Sequence, residues 1–348
     1  MCTLTVLVAI VVVMALLFDF VNGWNDSANA IATVVGTRVL SPLSAVILAA
    51  ALNLAGDMFG VEFANTIAKM IQVDVKTVAD QEVVMVIIVT GLLGTALWAA
   101  TMTIFGMPIS GSHSLIGGVV GAAVAAGGVD MLVGKNVAKT LLALMLAPVM
   151  GFFVAYFFYV ALIWLTRRLH PSTMNQTFGK LQIASASWMA FTHGTNDAQK
   201  VMGIITMALL VGGFQAAPAS EDQSEVALWV KIFGAMAISV GTAVGGWKVI
   251  KTLGYNLTKR GPPEGFAAET SASLVLTLAA WFGVPTSTTH TITGSILGLG
   301  ATRGMSSVRW ALAEKIVLAW IFTIPSTAAL GGALYWFLAL TMGVRFMH

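Results

Sequence analysis

The chain has 348 residues, of which 57% are hydrophobic and only 9% are charged, with a mean hydropathy of +0.88 and a net charge of +3. Soluble globular proteins carry about 25% charged residues, so this composition excludes a soluble enzyme. The basic residues are scattered through short connections, which is typical of membrane topology signals and excludes a nucleic-acid-binding face.

Apolar stretches recur along the whole chain, six before and six after a polar segment at 167–180. In order they lie near 3–20, 26–38, 42–60, 83–105, 112–127 and 137–166, and then near 183–193, 198–213, 226–250, 267–284, 288–301 and 310–341. We therefore predict an all-α polytopic membrane protein with about 12 apolar segments. The first stretch lacks a basic leader and a cleavage motif, so we expect a retained helix.

Four of these stretches are too short to span a bilayer alone. They lie at 26–38, 112–127, 198–213 and 288–301, with about 13 to 16 residues against the roughly 20 that a span requires. This length is typical of broken or re-entrant half-helices. Because a break at membrane depth is tolerated only where protein or a water-filled cavity surrounds it, the short stretches predict a buried polar site.

The chain also contains an internal repeat. The segment Gly23–Asp26 (Gly-Trp-Asn-Asp) recurs as Gly194–Asp197 (Gly-Thr-Asn-Asp), and Pro108–His113 recurs as Pro285–His290. The repeats divide the chain into 1–170 and 171–348. Short, interrupted apolar segments in matching positions of two halves are typical of a secondary transporter and favour a carrier over a channel. Periodicity leaves open whether the halves are parallel or inverted.

Each repeated motif carries groups that suit an anion. Asn25 and Asn196 are preferred helix N-caps before Ala-containing sequence, so we expect half-helices to begin there with their free N–H groups facing the break. Pro108 and Pro285 end the preceding helices, and hydroxyl groups surround the next helix starts. The first group is Ser110, Ser112 and Ser114, and the second is Ser287, Thr288, Thr289 and Thr291.

The same residues could have only a structural role, as helix caps. Charged groups within membrane spans are costly and usually functional, however, and Asp26 and Asp197 occupy equivalent positions in both repeats. The paired His113 and His290 could bind zinc or relay protons, but without clustered Cys or carboxylates they favour capping or interhelical hydrogen bonds. Lys200 is three residues after Asp197, at the spacing of an ion pair.

At these residues a resemblance becomes specific. Asp19–Ala30, Phe191–Lys200 and the two Pro-x-Ser segments resemble the signatures of the inorganic phosphate transporter (Pit) family, over essentially the whole chain. The resemblance implies symport of phosphate with sodium or protons by a homodimer of inverted repeats in the bacterial inner membrane, with no cofactor besides the coupling cation. Gly111-Ser112 stand where the family more often has Thr-Thr.

The resemblance also implies site residues. Those for substrate are Asn25, Asp26, Ser110, Asn196, Asp197, Ser287, Thr288 and Thr289. To this substrate site we add Gly111 and Ser112, which follow Ser110 directly. Two carboxylates beside an anion require cations, and carboxylate and amide oxygens suit sodium. We therefore expect each aspartate to be a cation ligand or proton acceptor; the cation residues are Asn25, Asp26, Asn29, Asn196 and Asp197. Alternatives are a carrier of another oxyanion such as sulfate, or an anion channel. No HExxH, GxSxG or P-loop motif indicates an enzyme.

Overall fold

The computed structural model describes residues 2–59, 70, 77–215, 226–258 and 260–343. The helices in this part of the chain are α1 (Cys2–Gly36), α2 (Pro42–Asp57), α3 (Val78–Phe105), α4 (Gly111–Gly127), α5 (Gly134–Thr166), α6 (Pro171–Val211), α7 (Leu228–Val244), α8 (Trp247–Lys251), α9 (Pro262–Trp281), α10 (Thr288–Thr302) and α11 (Trp310–Met342). A short π-helix, Thr252–Asn256, continues α8. The predicted all-α class is confirmed.

Several helices have the length and apolarity of membrane spans. Four single helices meet both conditions, namely α1, α3, α5 and α11, and α7 with α8 and its π-helix forms a fifth candidate bent by 61°. The outer surface is apolar as well: Phe105 is 72% exposed and Phe157 is 64% exposed. Large apolar side chains on the outside suit lipid rather than water, so the chain is an integral membrane protein.

The prediction that half-helices begin at the Asn-Asp motifs is wrong. Helix α1 runs through Asn25 and Asp26 without a break, and α6 runs through Asn196 and Asp197 in the same way. The stretches 26–38 and 198–213 are therefore the second parts of longer helices. Asn and Asp disfavour helix interiors when their side chains bond to the local backbone. Here the Asn25 amide instead donates to Thr103 Oγ1 at 2.8 Å, on α3.

The glycines before both motifs are explained by helix crossings. A Cβ atom on Gly23 would lie 2.2 Å from the carbonyl oxygen of Ile238 on α7, and one on Gly194 would lie 2.4 Å from that of Asn53 on α2. Small residues at such crossings let two backbones approach closely. The glycine thus permits close packing of a continuous helix instead of marking a helix start.

The Pro-x-Ser motifs do begin helices, as predicted. Ser110 and Ser287 are the N-caps of α4 and α10, and their Oγ atoms accept hydrogen bonds from the N–H groups of His113 and His290, at 3.2 Å each. These two helices have 17 and 15 residues. Both are too short to cross the hydrocarbon core alone, so each motif places a helix N-terminus inside the protein.

The helices of 1–170 and 171–348 pack on one another in reciprocal pairs. Helix α1 packs on α7 and α6 packs on α2, while α4 packs on α11 and α10 packs on α5. Among the described residues, the two largest hydrophobic cores lie around the first half of α1 and around its second half. The Asn-Asp motifs lie between these cores, at the middle of the protein.

Candidate functional site

Three ionisable side chains meet where α1 and α6 pass each other. His193 Nε2 lies 3.7 Å from Asp26 Oδ2 and 3.3 Å from Asp197 Oδ2. One ligand atom from each of the three residues lies within 4.8 Å of the others, and all three residues are buried. A buried carboxylate pair is stable only with compensating positive charge or hydrogen-bond donors, so the surrounding groups decide what the site can bind.

The hydrogen bonds of His193 indicate which ring nitrogen carries a proton. The Asn53 amide nitrogen donates to Thr242 Oγ1 at 2.9 Å, which leaves Asn53 Oδ1 as the acceptor 3.2 Å from His193 Nδ1. Nδ1 therefore holds the ring proton and Nε2 faces the carboxylates of Asp26 and Asp197. Because a bare Nε2 lone pair would be repelled by both, a proton on Nε2 or a cation between these groups stabilises the arrangement.

Hydroxyl groups from the start of α10 reach both carboxylates. Thr289 Oγ1 donates to Asp26 Oδ1 at 2.9 Å, and Thr288 Oγ1 donates to Asp197 Oδ2 at 3.3 Å. The Asn29 amide donates to Thr289 Oγ1 at 2.9 Å. The first residues of α10 thus join the two Asn-Asp motifs, which are 171 positions apart in the chain.

Asp197 receives two further donors. Lys200 Nζ lies 2.5 Å from Asp197 Oδ1, and the Asn22 amide donates to Asp197 Oδ2 at 3.3 Å. The predicted ion pair between Lys200 and Asp197 is therefore confirmed. Lys200 is only 7% exposed, so this pair is far less screened than one at a surface.

The N-termini of α4 and α10 lie side by side next to these carboxylates. Ser112 Oγ donates to the carbonyl oxygen of Thr286 at 3.3 Å, and the rings of His113 and His290 are 4.4 Å apart between centroids. The first N–H groups of a helix have no partner within that helix and lie at its positive dipole end. Two such ends side by side form a suitable environment for an anion.

Several predicted residues bond elsewhere. Asn25 binds the segment before α4, since its amide also donates to the carbonyl of Met107 at 3.3 Å and its Oδ1 accepts from the N–H of Ile109 at 3.4 Å. The Asn196 amide donates to the carbonyl of Thr192, one turn back, at 2.8 Å. The hydroxyls of Ser110 and Ser287 act as caps, as described above. The asparagines of the motifs thus position helices in this structure.

Gly111 has a steric role in the same region. A Cβ atom there would lie 1.9 Å from Asn22 Oδ1. A threonine at this position would therefore require the Asn22 side chain to move.

His193 and Asn22 belong to the site but are not among the residues predicted from the sequence. Both are four residues before an aspartate of the repeated motif, at equivalent places in the two halves. Residues at i and i+4 share a helix face. In continuous helices α1 and α6, this spacing therefore predicts that Asn22 and His193 lie on the same face as the aspartates. Among the described residues, Asp26, His193 and Asp197 are the group whose atoms can hold a metal ion; His113 and His290 are not part of it.

Comparison with known proteins identifies the class. The sequence profile of the Phosphate transporter family matches residues 22–331. A protein of Rhizobium meliloti (strain 1021) named "Probable low-affinity inorganic phosphate transporter" is 43% identical over 325 residues, which are 93% of this chain and 94% of that protein. A Bacillus subtilis (strain 168) protein of the same name is 38% identical over 335 residues, 96% of this chain and 98% of its own length.

The fold is also known. A solved structure named "The sodium-dependent phosphate transporter" superposes with a TM-score of 0.84 at 24% identity, over 96% of this chain and 99% of that one. The family and these relatives are transporters and not enzymes. The apolar spans, the buried polar centre and the match over most of the sequence agree, and the chain belongs to the phosphate transporter family.

Proposed function

We propose that this chain is a cation-coupled symporter of inorganic phosphate, which binds phosphate at the N-termini of α4 and α10, near the middle of the membrane. The observation that carries the proposal is the meeting of these two helix starts with the buried carboxylates of Asp26 and Asp197. Uncompensated N–H groups and hydroxyls suit the anion, and carboxylate oxygens suit the cation. A symport site needs both kinds of group within one cavity.

Phosphate is proposed to contact the backbone N–H groups and hydroxyls at the two helix starts. The residues that we assign to it are those of the two Asn-Asp and two Pro-x-Ser motifs: Asn25, Asp26, Ser110, Gly111, Ser112, Asn196, Asp197, Ser287, Thr288 and Thr289. In the structure, the Thr288 and Thr289 hydroxyls donate to Asp197 and Asp26. Reorientation of these hydroxyls toward phosphate would remove one hydrogen bond from each carboxylate.

The cation is required by charge balance. Two unit charges about 5 Å apart repel by roughly 3 kcal/mol at an effective dielectric constant of 20, whereas a helix dipole offsets about 0.3 to 1 kcal/mol. Sodium or a proton near Asp26, Asp197 and the amides of Asn25, Asn29 and Asn196 would remove this repulsion. The name of the structural neighbour, a sodium-dependent transporter, supports sodium as the ion to test first.

The test of the proposed function is uptake of labelled phosphate into proteoliposomes that contain the purified chain, under imposed sodium or proton gradients. We expect one of the two gradients to drive accumulation that a tenfold excess of sulfate does not abolish. Inhibition by sulfate as strong as that by unlabelled phosphate would indicate a carrier for oxyanions in general. Conductance far above carrier turnover would indicate a channel.

The reciprocal packing of their helices supports a two-fold relation between 1–170 and 171–348, and we further propose that these two repeats are inverted. Arg38, just after α1, and Phe214, just after α6, should then lie on opposite sides of the membrane. On a background in which Cys2 is replaced by Ser, Arg38→Cys and Phe214→Cys should react with an impermeant maleimide from opposite sides. Labelling of both cysteines from the same side would require a parallel duplication.

The cellular setting is part of the same proposal. The bacterial relatives support placement in a bacterial inner membrane, and the family resemblance supports a homodimer. Cross-linking in native membranes, followed by mass determination of the purified complex, would identify the oligomer.

The hydroxyls of α10 should contribute strongly to phosphate affinity. A hydrogen bond to a charged group contributes about 1.5 to 3 kcal/mol, so we expect the double variant Thr288→Val/Thr289→Val, which lacks two such donors, to bind phosphate at least roughly a hundred-fold more weakly. Thr302→Val, at the other end of the same helix, is the matched control. Equal affinities of the double variant and the control would show that these hydroxyls serve only the structure.

A further inference from the structure

One of the differences between the two repeats changes the charge beside the motif aspartate. Three residues after the motif aspartate, the first repeat has Asn29 and the second has Lys200. Both side chains are buried, and both lie one helical turn from their aspartate. The two halves therefore supply the same site with a neutral amide on one side and a fixed positive charge on the other.

In the second repeat, Asp197 already has a full set of partners. Its Oδ1 lies 2.5 Å from Lys200 Nζ, and its Oδ2 accepts hydrogen bonds from Asn22 and Thr288. An ammonium group at this distance neutralises the carboxylate directly. A mobile cation would have to displace Lys200 to bind Asp197 Oδ1.

In the first repeat, two oxygen atoms have no hydrogen-bond donor among the described residues. Asp26 Oδ1 accepts from Thr289, but neither Asp26 Oδ2 nor Asn29 Oδ1 accepts a hydrogen bond from any residue that the structure describes. Asp26 Oδ2 faces His193 Nε2 at 3.7 Å, which is beyond hydrogen-bond distance. Both oxygen atoms are buried, and buried acceptors without donors are costly. A carboxylate oxygen and an amide oxygen together suit a hard cation such as sodium.

This inference rests on the proposed function. We propose that Lys200 is a tethered cation that takes the place of a second mobile cation. Phosphate binding then requires a single mobile cation, which Asp26 and Asn29 hold. The repeat that carries Asn29 binds the ion from solution, and the repeat that carries Lys200 brings its own charge. The coupling ratio would thus be set by the residue three positions after the motif aspartate.

The test is equilibrium binding of labelled phosphate to the full-length protein in nanodiscs, measured as a function of the coupling cation. For the wild type, the logarithm of phosphate affinity should rise with the logarithm of cation concentration with a slope of about 1. In Lys200→Asn the slope should approach about 2, with affinity at saturating cation within a few-fold of the wild type. Lys200→Arg should keep the slope of the wild type, and Lys180→Asn, an exposed position on the same helix, is the matched control.

A reciprocal variant keeps the test decisive if Lys200→Asn does not fold. Asn29→Lys would add a second tethered charge, and phosphate binding should then lose its dependence on the cation. A wild-type slope near 2, an unchanged slope in Lys200→Asn, or retained dependence in Asn29→Lys would each overturn the inference. Weaker binding by Lys200→Asn at every cation concentration, with an unchanged slope, would show that Lys200 contacts phosphate directly. Failure of the wild type to bind phosphate would instead refute the proposed function.

Discussion

Replacement of Asp26 by Asn should give a protein that binds phosphate without the coupling cation. The neutral amide keeps the size of the side chain and removes one negative charge from beside the anion. At about 5 Å and an effective dielectric constant of 20, that charge costs roughly 3 kcal/mol, which is more than a hundred-fold in affinity. Uptake driven by the cation gradient should be lost, because the cation no longer improves phosphate binding.

The variant to compare with it is Asp197→Asn, in which the carboxylate removed belongs to the same site but is already paired with Lys200. We expect this variant to keep its dependence on the cation, since Asp26 remains charged. Both variants should be measured by equilibrium phosphate binding over a series of cation concentrations, together with gradient-driven uptake. Full cation dependence in Asp26→Asn would contradict the assignment of Asp26 to the coupling cation.

Gly194→Ala should severely impair folding, although alanine is the better helix former. The new methyl group would lie 2.4 Å from the carbonyl oxygen of Asn53, and two packed backbones cannot separate without disturbing the Asp197 and His193 side chains beside them. Overpacking of this kind costs about 1 to 3 kcal/mol or more. We expect a lower unfolding temperature and little protein in the monodisperse peak of size-exclusion chromatography.

Gly179→Ala is the control on the same helix. A Cβ atom there would meet only Val39 Cγ2, at 3.9 Å, which is an ordinary van der Waals distance. This variant should therefore be as stable as the wild type. Similar unfolding temperatures for the two variants would show that the crossing of α2 and α6 can relax, and that the motif glycine has another purpose.

The two kinds of repeated motif differed in how well they predicted the starts of helices. The Pro-x-Ser motifs correctly predicted the starts of α4 and α10, because proline and a capping hydroxyl act locally on the backbone. The Asn-Asp motifs suggested the same interpretation, which was wrong. Asn25 bonds to Thr103 on α3, a partner 78 positions away, and no local pattern reveals such a partner.

The omission of His193 and Asn22 from the predicted site has the same cause, which is the wrong prediction of helix starts at the Asn-Asp motifs. His193 and Asn22 face the site only because α1 and α6 continue through the motifs, so that positions four residues apart lie on one face. With half-helices beginning at Asn25 and Asn196, both residues would belong to other segments. The pair of Asp26 and Asp197 was identifiable because two matching carboxylates within apolar sequence are costly without a function.

Phosphate binding between the two helix starts can be tested with an arsenate-soaked crystal of the full-length protein, with anomalous diffraction recorded at the arsenic absorption edge. Arsenate has the shape and charge of phosphate and marks its position unambiguously. We expect one strong peak within hydrogen-bond distance of the N–H groups of Ser112 and Thr288 or Thr289. A peak elsewhere in the protein, with none between the N-termini of α4 and α10, would contradict this expectation.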